Sequence, residues 1–245
     1  MPKRPIIGLS CLLLILGACS DSDRHITSPN HTIYGSGNLI SETLYLSNFS
    51  SITLNTVATV NLTYGESQEV IITVDDNIRE YVKFTVYNRH FYLDTRKDVN
   101  LDEFTIIMDI TIPQIETIVI NGVGNVIGQN EFAGDYLYLV MNGVGYIQLD
   151  LDFYEVRSDM NAVGNVNLGG SAVNQIANIS SVGNLDAFEL ETDTSYVSCN
   201  SVGNAHVRVN RYLRATIGSL GSIYYRGYPV IHQTIEGQGR VVDAN

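Results

Sequence analysis

The chain has 245 residues, with 14 Lys and Arg against 26 Asp and Glu, a formal net charge of −12 and a pI near 4.7. That balance excludes nucleic acid as a partner, because its capture needs a basic footprint, and excludes electrostatic attraction to anionic lipid surfaces. Gly and Tyr are plentiful, Trp is absent, and beyond the N-terminus the Val, Ile, Thr and Tyr that strands prefer dominate, with no long amphipathic helical pattern.

The first 18 residues read as an export signal that takes no part in the fold. Lys3 and Arg4 form a short positive region, residues 6–15 are apolar, and Leu16-Gly17-Ala18-Cys19 follows. The apolar run is shorter than the ~18–20 residues that span a bilayer. Small residues before a cysteine at this place resemble a bacterial lipobox; an ordinary secretory signal that contains a cysteine is the competing reading. The resemblance implies cleavage before Cys19 and acylation of its thiol, which makes Cys19 the expected lipidation site and the membrane the first expected partner. Ser20 behind the cysteine resembles an outer-membrane sorting signal, while Asp21 and Asp23 leave surface export open. The expected location is the bacterial cell envelope, anchored in the outer membrane. Cleavage removes two bases and no acid, so the mature charge is 12 − 26 = −14. Cys11 leaves with the signal and Cys19 carries lipid, so Cys199 stays alone and no intramolecular disulfide is expected. Residues 19–32 are polar and read as a tether.

A single domain is expected over 33–245, with irregular strands over 33–120. Tyr34-Gly35-Ser36-Gly37-Asn38-Leu39 reads as an isolated copy of a corner motif. Alternation predicts strands over 57–64, 70–74, 82–87, 91–93 and 104–112, separated by turn signals such as Gly65-Glu66-Ser67-Gln68 and Asn88-Arg89-His90. Asp75-Asp76-Asn77 begins the one stretch with a helical-turn signal, through Tyr81.

Regular coils are expected over 121–245. Val-Gly-Asn recurs at Val123-Gly124-Asn125, Val163-Gly164-Asn165, Val182-Gly183-Asn184 and Val202-Gly203-Asn204, with weaker copies around Gly145, Gly221 and Gly239. The steps between successive glycines are 21, 19, 19, 20, 18 and 18 residues. A period of about 20 residues is one coil of a solenoid. Two residues after each glycine stand Val126, Ile147, Val166, Leu185, Ala205, Ile223 and Val241, all apolar, with polar residues mostly on either side. In-register alternation of this kind marks a strand with one buried face. The residue before each glycine is apolar as well, which breaks the alternation, so the glycine is expected at a corner with positive φ. The fold class is all-β, a right-handed parallel β-helix with coils of about 20 residues.

The corner glycines resemble one family when taken with two further segments. One is Asp75-Asp76-Asn77-Ile78 followed by the strands over 82–93. The other is Tyr225-Arg226-Gly227-Tyr228-Pro229 before Glu236-Gly237-Gln238-Gly239. The family is the putative auto-transporter adhesin, head GIN domain family of bacterial envelope proteins. The similarity runs from about residue 33 to 243, with Val where the family usually has Ser between the corner glycines. The resemblance implies a right-handed parallel β-helix, an extracytoplasmic location and no established enzymatic activity.

Chemistry is sparse. The Gly-x-Gly pairs lack the following helix that a phosphate loop needs. Asn stands where calcium-binding rolls carry Asp, so the rows Asn125, Asn165, Asn184, Asn204 and Asn121, Asn142, Asn161, Asn200 read as hydrogen-bonded ladders; no metal and no cofactor are expected. Three residues after the glycine, the outer row reads Gln148, Asn167, Asp186, His206, Tyr224. Asp186 and His206, neighbours on successive coils, and Tyr224, Tyr225 and Tyr228 are the candidate binding residues, against a competing reading as an ion pair and ordinary packing. No acid stacks on an acid in the aligned rows, which argues against glycoside hydrolysis. The expected function is a non-enzymatic adhesion, binding or scaffolding module that contacts an envelope protein or a glycan. A carbohydrate-active enzyme is the alternative.

Overall fold

The computed structural model describes residues 32–245. The signal, Cys19 and the expected tether up to residue 31 lie outside the described residues. Strands from Thr32–Tyr34 to Val241–Asp243 make up most of the rest, with one 3-10 turn at Arg79–Tyr81 inside the stretch expected to form a helical turn. Among the described residues no helix is long and apolar enough to cross a membrane.

The architecture is a β-solenoid of about 7 turns with a spacing of about 19 residues. On one side of the stack Ser51–Leu54 pairs in parallel with Thr117–Ile120, which pairs with Phe132–Met141. On the next side Ala58–Tyr64 pairs with Val123–Gly128, and that with Val144–Met160. Gly164–Ile179, Asn184–Cys199 and Ala205–Ile217 continue both sides, each strand bending round the corner of its coil. Parallel pairing satisfies the backbone between coils, and period-two alternation sends every second side chain inward. The column Val126, Ile147, Val166, Leu185, Ala205 and Ile223 is buried, in register across coils. Cys199 belongs to a second inward column with Met141, Met160, Ile179 and Ile217. It is a free, buried thiol that donates to the Gly203 carbonyl at 2.8 Å, and burial pushes its pKa up.

The stack begins with a coil that comes second in sequence. His90–Thr95 and Ile106–Ile112 lie parallel against Ser51–Leu54 and Ala58–Tyr64. Three antiparallel strands then close that end. Val82–Tyr87 pairs with His90–Thr95, Glu69–Asp75 with Ile106–Ile112, and Leu39–Thr43 with Glu69–Asp75. Covering the edge in this way shields the core and its unpaired backbone groups. Among the described residues the core runs from Phe49 to Ile223.

The corner glycines form one edge, for a reason other than the one expected. Gly124 pairs with Gly145 and Gly145 with Gly164. Of the seven, only Gly145 has a positive φ, at 148°. A Cβ on Gly145, Gly203, Gly221 or Gly239 would instead collide with the carbonyl oxygen of the glycine one coil earlier. Close approach of backbones, more than left-handed geometry, selects glycine here. The N-terminal copy of the corner is also misplaced by the sequence reading. Gly124 pairs with Ala58, so Asn55-Thr56-Val57-Ala58-Thr59 is the first corner. The Gly35–Gly37 segment is a separate loop, where the Asp75 carboxylate accepts from the amides of Gly37 at 2.6 Å and Thr105 at 2.8 Å.

Both amide ladders form. Asn121, Asn142 and Asn161 each donate to the preceding amide, at 2.8, 2.9 and 2.9 Å, starting from Asn55. Ser180 interrupts that row, and Asn200 donates to Ser198 instead. In the second row the side-chain oxygens of Asn125, Asn165, Asn184 and Asn204 accept the backbone N–H of the next coil, at 2.9–3.3 Å. These contacts satisfy donors at the corner.

The apolar residues before the glycines do not face the core. Val57, Val123, Val144, Val163, Val182, Val202 and Leu220 are 44–60 % exposed and form an aliphatic ridge along the corner edge.

Candidate functional site

Irregular coil lengths locate the site. In the coil after Gly183 the pairs Asn167↔Asp186 and Gly169↔Glu189 enclose one residue on the first strand and two on the second. That coil therefore bulges, and the step of 20 residues from Gly183 to Gly203, after a step of 19, carries the extra residue. The bulge lifts Phe188 and Glu189 outward while Leu190 remains in the core. One coil earlier the chain has Gly169-Gly170, without side chains. A large side chain beside two absent ones leaves a groove of about 400 Å³, lined by Gln148, Asp150, Asn167, Asp186, Phe188, Glu189 and Arg226 among others.

The groove has an ordered outer wall. Gln148, Asn167 and Asp186 line the groove, and His206 and Tyr224 continue the row past it, all in register on five successive coils as the sequence expects. The rings of Phe188 and His206 stack at 4.8 Å and 23°, and His206 lies 5.1 Å from Tyr224 at 58°. The Arg226 guanidinium sits 4.1 Å from the Phe188 ring centre and 3.9 Å from the Glu189 carboxylate. A cation over a ring face contributes about 0.5–1 kcal/mol at an exposed site, so this wall is held without a buried charge. The Asp150 carboxylate overhangs Gly169, occupying the space of the missing Cβ.

Asp186 and His206 approach to 3.9 Å, beyond hydrogen-bond range, with both side chains partly exposed. A pair of this kind contributes about 0–1 kcal/mol and does not by itself activate water. The tyrosines separate. Tyr224 shares the outer wall, whereas Tyr225 packs against the core, where burial and then the Asp243 charge push its phenol pKa up. Tyr228, 89 % exposed, lies beyond the end of that strand and outside the groove. Strand alternation separates Tyr224 from Tyr225. Phe188 and Arg226 stand in the aligned outer row five residues after the glycine but were not among the candidate binding residues, and neither was Glu189, although the uneven glycine step is a visible signal for the bulge. Three carboxylates, Asp150, Asp186 and Glu189, line one groove although no two are neighbours in a column. Among the described residues no three His, Cys, Asp or Glu side chains form a metal-binding group.

Comparison with known proteins agrees with this architecture. A crystal structure of a putative adhesin from Bacteroides fragilis superposes with a TM-score of 0.79 at 25% identity, covering 85% of this chain and 98% of that one. A putative adhesin from Parabacteroides distasonis gives 0.67 at 21% identity, covering 86% and 99%. A putative lipid binding protein from the same species gives 0.69 at 16% identity, covering 87% and 100%. No curated protein matches the chain. The model of the family described as putative auto-transporter adhesin, head GIN domain, matches residues 48–229. With most of its solenoid inside that match, the chain belongs to the putative auto-transporter adhesin, head GIN domain family.

Proposed function

We propose that this protein is a non-enzymatic adhesion or scaffolding module of the bacterial envelope, anchored through acylated Cys19, that binds a glycan in the groove beside Phe188. The observation that carries the reading is the combination in one open groove of an aromatic ring, two amides and three carboxylates on rigid parallel ladders. Ring faces accept the apolar C–H faces of sugars, carboxylates accept from hydroxyls, and amides both accept from and donate to them. The naming of relatives as putative adhesins supports a binding role.

The test is a glycan-binding screen with purified protein, followed by Phe188→Ala, Asp186→Ala and Gly169→Leu. Each variant is expected to weaken binding about tenfold or more, as loss of a central contact does. Gly169→Leu places a side chain in the groove, where its Cβ meets the end of the Asp150 side chain and no backbone. Binding unchanged in all three sinks the glycan reading.

The three groove carboxylates favour one second reading, a carbohydrate-active enzyme. Product accumulation in the same assay, lost in Asp150→Ala, Asp186→Ala or Glu189→Ala, would select it.

A further inference from the structure

The corner edge combines three properties. Seven successive five-residue segments of it, 55–59, 121–125, 142–146, 161–165, 180–184, 200–204 and 218–222, contain no charged residue, while the corners at either end of this run, 94–98 and 236–240, are charged. The described residues otherwise carry 11 Lys and Arg (14 less Lys3, Arg4 and Arg24) against 24 acids (26 less Asp21 and Asp23), a net −13. Exposure alternates across the strip. The asparagine row and the aliphatic ridge stand out, and the rows between them, such as Thr56, Gly143 and Ser201 or Gly164 and Gly183, are recessed and small. Inter-coil pairing at about 4.8 Å gives every row the same repeat.

We infer that this strip is an interface between two copies of the chain, laid edge to edge in opposite directions about a two-fold axis. Charge selects the partner. Two strongly acidic bodies repel wherever their carboxylates face each other, and this strip lets them approach without that opposition. Anionic lipid meets the same repulsion from the rest of the surface. Shape agrees as well. Ridges and recessed rows of equal repeat are self-complementary, as an isologous contact requires. Seven coils at about 4.8 Å and five residues at about 3.3 Å make a strip of about 34 by 17 Å, near 600 Å² in plan. Side-chain relief raises that toward the ~800 Å² each partner contributes to a standard interface, and flanking asparagines supply a polar rim. An exposed aliphatic row of this length is large for a monomer.

The two-fold fixes which residues meet. With the axis at the middle of the seven uncharged corners, Val163, on the fourth, meets its own copy, while Val57 meets Leu220 of the second copy. The groove begins further along each coil and remains open, so the dimer holds whether or not the glycan reading does.

The chain from residue 19 onward, with Cys19→Ser to prevent acylation, is the material for the test. Sedimentation equilibrium at tens of micromolar is expected to give twice the monomer mass. Val163→Asp with Val182→Asp, both at exposed positions, should give a monomer with unchanged far-ultraviolet circular dichroism and melting temperature. Tyr45→Asp, exposed elsewhere, should leave the dimer intact. Under oxidation Val163→Cys should cross-link to itself. Val57→Cys and Leu220→Cys should cross-link only when mixed. A monomer at every concentration, or a dimer that survives the double Asp substitution, overturns the inference. Flotation of the wild type with phosphatidylcholine vesicles, lost in the double variant, would overturn it in favour of a neutral lipid surface.

Discussion

The carbonyl oxygen of Gly183 lies in the space that a Cβ on Gly203 would occupy. The contact repeats along the corner, between Gly203 and Gly221 and between Gly221 and Gly239. It sets how closely successive coils approach at this edge, and hence the register of the inward columns beside it.

Gly203→Ala is therefore expected to destabilise by at least about 2 kcal/mol, since backbone on both sides must shift. Gly37 has φ 78° and open space around its Cβ position. Gly37→Ala should cost only about 1 kcal/mol of left-handed strain. Chemical denaturation of the two variants gives the comparison, and equal losses would contradict the close-approach argument.

Leu185 is fully buried, in register between Val166 and Ala205. Leu185→Asp should cost several kcal/mol, because the carboxylate has no partner in that column. For a domain of this size each kcal/mol lowers the melting temperature by about 2–4 °C. A variant that melts with the wild type would mean that the inward register is misassigned.

Asp159 gives the fold an acid-sensitive point. Burial alone would raise its pKa, but hydrogen bonds from Asn178 at 2.7 Å, from Tyr138 at 2.5 Å and from Arg157 at 3.0 Å hold it below the ordinary carboxylate value. A depressed folded-state pKa stabilises above the unfolded value, near 4, and the contribution is lost as pH falls through the folded value. Stability should thus decline below about pH 4, and Asp159→Asn should flatten that decline while lowering stability at pH 7. Melting curves between pH 2 and 7 measure both effects.

Cys19→Ser should abolish acyl labelling in cells and release the protein from the membrane fraction. Persistence of label in the variant would remove Cys19 as the attachment site.

Much of the solenoid was legible because a repeat multiplies weak local signals. One Val-Gly-Asn means little, but four in step, with apolar residues always two beyond the glycine, set period, corner and inward column together. Asn121, Asn142 and Asn161 were readable as a ladder for the same reason. The N-terminal cap was not readable. Glu69–Asp75 and Ile106–Ile112 show ordinary strand alternation, and nothing local states that they pair antiparallel or that Glu69–Asp75 covers a coil that comes later in sequence, the one to which Ile106–Ile112 belongs. The candidate site was half legible. Asp186, His206 and Tyr224 followed from the register, whereas Tyr225 was grouped with Tyr224 although alternation sends neighbouring side chains to opposite faces.

The sequence by itself determined the coil length, the edge on which the glycines lie and the inward row two residues beyond each glycine, because these follow from periodicity and backbone geometry alone. Tertiary structure decided what periodicity cannot express. The valines before the glycines look like core by composition, yet the corner turns them to solvent, since the glycine after each one takes the inward place against the previous coil. Gly169, Phe188 and Arg226 each stand five residues beyond a corner glycine, on three different coils, but that spacing does not foretell the bulge that turns Phe188 and Glu189 outward. The three meet because the bulged coil stacks beside one whose facing positions, Gly169 and Gly170, carry no side chain.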